Sequence, residues 1–131
     1  MDWLLTASAS KRIADVTNKA ESIITSIITP IEAERALIRA EKTGVITTGK
    51  KNELRGLLAR TMANWNLMEI SPEVRSRAKE PFPIEPVRTL DAIHLSTALE
   101  WSQIYFGLYM FTRDNRILAN TKPLGILTID F

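Results

Sequence analysis

Four short apolar runs mark the chain, at residues 23–28, 67–70, 108–111 and 126–129, and stretches of helical character separate them. The first is the most telling, because Ile23, Ile24, Thr25, Ile27 and Ile28 are β-branched and mostly apolar, which is how a strand buried on both faces reads. Strands that alternate with helices form βαβ units, whose strands run parallel with the helices covering the sheet. Parallel strands need crossover connections of a dozen residues or more, so this pattern leaves little room for hairpin architectures. The class expected is α/β, with a mostly parallel sheet.

The helical stretches carry start and stop signals. Thr29-Pro30-Ile31-Glu32 reads as a capping box, with threonine at the cap, proline at the first helical position and glutamate three residues beyond the cap. That helix is expected to run to about residue 42 and stop before Gly44. Leu54, Leu57, Leu58, Thr61 and Trp65 fall at helical spacing and predict an amphipathic helix over 50–65. Ser71-Pro72-Glu73 opens a short helix that ends before Pro81. Pro81, Pro83 and Pro86 make 81–88 an extended loop. Thr89 is expected to cap a largely buried helix over 90–102, and a last short helix over 115–121 ends at Pro123 and Gly125. Before all of these, residues 3–5 read as a short strand and 10–20 as a weak helix.

The chain of 131 residues has the length of one domain, without repeats or linkers, so a single domain over 1–131 is expected, atypical over about 1–22. It contains no cysteine and one histidine, His94, which excludes thiolate and histidine-rich metal sites. Any metal is then held by oxygen, the ligand of magnesium, manganese and calcium. The formal charge of +2 is too small to point to nucleic acid by itself. No apolar run approaches the roughly 20 residues needed to span a bilayer, and no signal peptide is recognisable, so a cytoplasmic location is expected.

Glu32, Asp91 and Asp114 stand at strand–helix junctions or in first helical turns. In an open parallel sheet the carboxyl ends of the strands gather at one edge, where ligands bind. Acids there repel one another, and a divalent cation relieves the repulsion. Each acid also has a helix-end explanation. Glu32 could close a capping box, Asp91 could gain from the helix dipole and Asp114 could be an N-cap. Asp91 lies among Leu90, Ala92, Ile93 and Leu95, where a carboxylate without a partner would be costly.

Three segments carry a family resemblance. Ser26-Ile27-Ile28-Thr29-Pro30-Ile31-Glu32-Ala33-Glu34-Arg35-Ala36-Leu37 resembles the second acidic motif of PIN-domain proteins, especially VapC-type toxins. Arg88-Thr89-Leu90-Asp91-Ala92-Ile93-His94-Leu95-Ser96-Thr97-Ala98-Leu99 is similar to the third, and Phe111-Thr112-Arg113-Asp114-Asn115-Arg116-Ile117-Leu118 to the fourth. The resemblance covers residues 23 to about 129. It implies a three-layer α/β/α sandwich with a mostly parallel sheet of four to five strands. It also implies Mg2+ or Mn2+ held by Glu32, Asp91 and Asp114, RNA as substrate, a homodimer, and an antitoxin protein as partner. Thr112 would stand beside the site as a hydroxyl donor and Arg116 near enough for phosphate, with Arg35, Arg88 and Arg113 as further cations for the RNA backbone. His94 would be a packing residue.

The first acidic motif departs from the pattern. The family places an aspartate at the end of the first strand, in a run like Leu-Asp-Thr-Ser-Ala, and this chain has Leu5-Thr6-Ala7-Ser8-Ala9. In one alignment Thr6 replaces the aspartate and Ser8 matches the family serine; in the other the chain starts late and lacks the first strand. Both remove a carboxylate. The expectation is therefore a metal-dependent endoribonuclease, with a degenerate PIN-like domain that binds RNA or a partner without cleavage as the alternative.

Overall fold

Hydroxyl and carboxylate caps, a positive-φ glycine and two apolar clusters account for most of the architecture. The computed structural model describes residues 15, 22–105, 107–112 and 114–129. The expected strand at 3–5, nearly all of the weak helix at 10–20, Thr6, Ser8 and Arg113 lie outside the described residues. Two compact units divide the chain, residues 1–67 and 68–131.

In the first unit, strand β1 (Ile24–Ser26) leads into helix α1 (Ile28–Lys42) and then α2 (Thr48–Met62), and β1 is hydrogen-bonded to β2 (Asn66–Met68). The Asn66 amide donates to the Ile23 carbonyl at 2.8 Å, and its side-chain amide donates to Ser22 Oγ at 2.9 Å. The start of α1 corrects the sequence expectation. Its N-cap is Ile27, which makes no side-chain cap bond, and Thr29 is the second helical residue. Thr29 is buried and its hydroxyl pairs with that of Thr25 at 2.7 Å, while Ser26 Oγ accepts the Ile28 amide at 3.3 Å. Pro30 is still accommodated, because the first four amides of a helix have no intrahelical acceptor. The predicted stop holds. Gly44 takes φ +78°, and the Thr43 and Gly44 amides return to the Arg39 and Glu41 carbonyls at 2.9 and 3.1 Å.

Helix α2 begins two residues earlier than its apolar pattern predicts, because Thr47 Oγ1 accepts the Lys50 amide at 3.0 Å. Ala33 and Leu37 of α1 pack with Leu54 and Leu58 of α2, and Ile46 and Met62 flank them.

In the second unit the order is α3 (Pro72–Ala78), α4 (Thr89–Ser102), β3 (Tyr109–Met110), α5 (Asn115–Thr121) and β4 (Leu127–Thr128). Ser71 caps α3 through the Val74 amide at 3.2 Å. Arg88, not Thr89, is the N-cap of α4, and it too lacks a side-chain cap bond. Strands β3 and β4 pair in parallel, with Tyr109 opposite Leu127 and Met110 opposite Thr128, so α5 is the crossover of a βαβ unit. The core here is Phe82, Ala92, Leu95, Ile117 and Ile126, with Val87, Ala98, Leu99 and Met110 around it. The loop 81–88 is held by side chains. Glu85 accepts the Phe82 and Val87 amides at 2.8 and 2.6 Å, and Asn120 exchanges two hydrogen bonds with the Ile84 backbone at 2.8 and 2.9 Å.

The α/β class is thus present in both units. Four short strands are found among the described residues, in two pairs. No helix among the described residues is long and apolar enough to cross a membrane.

Candidate metal and phosphate site

Asp114 is fixed by the junction it sits on. The chain leaves the carboxyl end of β3, passes Thr112 and turns into α5 with Asp114 as N-cap. Its Oδ1 accepts the Arg116 amide at 2.8 Å and the Ile117 amide at 3.3 Å. Thr112 Oγ1 accepts the Asp114 amide at 3.1 Å, so the threonine sets the backbone that aims the carboxylate. The capping role read from the sequence is real, and it engages one of the two carboxylate oxygens. Arg116 follows in the first turn of α5 and is exposed.

Asp91 is the third residue of α4, and the buried residues of that helix follow it directly at Ala92, Leu95, Ser96 and Thr97. Its side chain is 14% exposed, and its Oδ2 is sealed from solvent. The Arg88 Nε lies 3.7 Å from that oxygen. A carboxylate at this depth is tolerable only with a compensating charge, and the first helical turn adds a favourable dipole worth about 0.3–1 kcal/mol. The Arg88–Asp91 pair escaped the sequence reading, although the i,i+3 spacing across a helix start was there to be seen.

Glu32 lies in the first unit, half-buried at the fifth position of α1. Thr29 is not the cap, so the capping box expected over 29–32 is not the one that starts α1. Asp91 and Asp114 belong to the second unit. Among the described residues, no group of three or more acidic or histidine side chains is close enough together to hold a metal ion. The donors themselves suit a hard divalent cation, since every candidate ligand is an oxygen and one of them, Asp91, is a largely buried carboxylate. Thr6 and Ser8 lie outside the described residues.

A βαβ unit with an acid at the carboxyl end of its first strand, and a second acid at the start of a largely buried helix, define an α/β protein with carboxylates at its helix starts. The PIN domain profile matches residues 1–122, and the chain belongs to that family. Nuclease-type function and the use of divalent metals are typical of PIN domains. No curated protein is a significant match.

Proposed function

We propose that this chain is a metal-dependent endoribonuclease of the VapC toxin type, a single PIN-like domain with the family's α/β/α sandwich. The observation that carries the reading is Asp91, a carboxylate 14% exposed at the start of a buried helix, inside the most specific of the family motifs. Such a group favours positive charge beside it, and a divalent cation would add to what Arg88 supplies.

By the family pattern Glu32, Asp91 and Asp114 would each supply oxygen to Mg2+ or Mn2+, though the described residues form no three-acid cluster, and Thr112 would fix the orientation of Asp114. When bound, such an ion lowers the pKa of water and offsets the charge that builds on phosphate. The reaction is in-line attack of water on an RNA phosphodiester. The bond from phosphorus to the 3′ oxygen breaks and that oxygen takes a proton, leaving a 5′-phosphate and a 3′-hydroxyl. Arg116 and Arg35 would hold the RNA backbone, which makes affinity fall with salt. A cytoplasmic location, a homodimeric state and inhibition by an antitoxin complete the proposal.

The second reading is a degenerate domain that binds RNA or a partner without cutting. Thr6 in place of an aspartate favours it, and so does the lack of a three-acid cluster among the described residues. Incubation of a mixed RNA pool with manganese separates the two, with Asp91→Asn run beside the wild type. Cleavage that disappears in the variant and in chelator is expected. Equal inertness of both proteins, with RNA binding retained in chelator, would leave the binding module.

A further inference from the structure

We infer that Arg88 is the resident counter-ion of Asp91 and competes with a divalent cation for that carboxylate. The inference rests on the proposed role of Asp91 as a metal ligand and adds an internal competitor to it. Arg88 is the N-cap of α4 in extended conformation (φ −73°, ψ 157°), which places its side chain one turn before Asp91. Its Nε stands 3.7 Å from Asp91 Oδ2, an ionic contact but longer than a hydrogen bond. The two partners differ sharply in exposure, 69% for the arginine and 14% for the aspartate. The aspartate side chain is largely enclosed on the first turn of α4, whereas the arginine can swing away, because most of its side chain is already in water and its long stem has several rotamers. The pair is therefore a fixed anion beneath a removable cation. Asp91 keeps a positive neighbour when no metal is present, and a cation arriving at Asp91 has to displace or repel the guanidinium.

Manganese titration of the metal-stripped full chain tests this by calorimetry, with thermal melting in parallel. Arg88→Gln is expected to bind manganese about two- to fivefold more tightly than the wild type, the scale of one exposed ion pair. Arg88→Lys, which keeps the charge, is expected to stay close to the wild type. Without metal, Arg88→Gln should melt below the wild type, and saturating manganese should narrow or close that gap. A purely structural arginine would leave the same gap with and without manganese. Unchanged or weaker manganese binding by Arg88→Gln, beside clear binding by the wild type that Asp91→Asn abolishes, would overturn the inference and leave the site intact. No manganese binding by any of the proteins would overturn the site reading and the inference with it.

Discussion

Replacing Asp114 by asparagine keeps an acceptor oxygen for the Arg116 and Ile117 amides and removes only the charge, whereas alanine removes both. Asp114→Asn is therefore expected to unfold within a few tenths of a kcal/mol of the wild type, and Asp114→Ala to lose about 1 kcal/mol, in urea denaturation. If the charge serves a metal, both variants lose manganese-dependent RNA cleavage to a similar extent. Buried apolar residues set the other extreme at this scale. Leu37 and Leu95 are at most 1% exposed, so truncating either to alanine should cost about 2–5 kcal/mol. Such a loss would register as a lower urea midpoint with little change in slope.

Helix ends decide the elements. Thr47 and Gly44 flank the turn between α1 and α2 and act by different means, one by accepting an amide and the other by adopting φ +78°. Thr47→Ala should cost about 1 kcal/mol through the lost cap, and Gly44→Ala about 1–2 kcal/mol through left-handed strain, both measured by thermal melting. Signals carried by one residue type in a fixed role were legible in the sequence. The stop at Gly44, the Ser71 and Asp114 caps and the helix over 115–121 all follow from them. Signals that allow a shift of one or two residues were not. Thr29 and Thr89 look like caps, but each lies inside its helix, because Ser26 takes the Ile28 amide before α1 and Arg88 precedes α4. The β-branched run at 23–28 predicts a longer strand than forms, since Ile27 and Ile28 turn into α1. At the candidate site, Asp114 could be placed from its junction. The partner of Asp91 went unread although Arg88 stands three residues before it, because that spacing alone does not say which way a flexible arginine turns.

At the scale of the molecule, charge couples stability to pH through Glu41. Lys51 Nζ lies 3.1 Å from both of its carboxylate oxygens and holds its pKa below the ordinary 4.5, with further help from the Thr48 side chain. The folded state then binds the proton less readily than the unfolded one. This stabilisation is complete above about pH 4.5 and is lost as the pH falls through the depressed value. Glu41→Gln should flatten that acid limb in urea titrations between neutral pH and pH 3. A different consequence follows from Asn120, which is 1% exposed and bonded to both backbone groups of Ile84. Ile84 exposes half of its surface in a loop without helix or strand, yet its amide is tied as a ladder amide would be. With the Phe82 and Val87 amides held by Glu85, this loop should exchange its hydrogens slowly for an irregular segment, and Asn120→Ala should release Ile84 first. The stretch that leads into Arg88 and Asp91 then keeps time with the helices on either side of it.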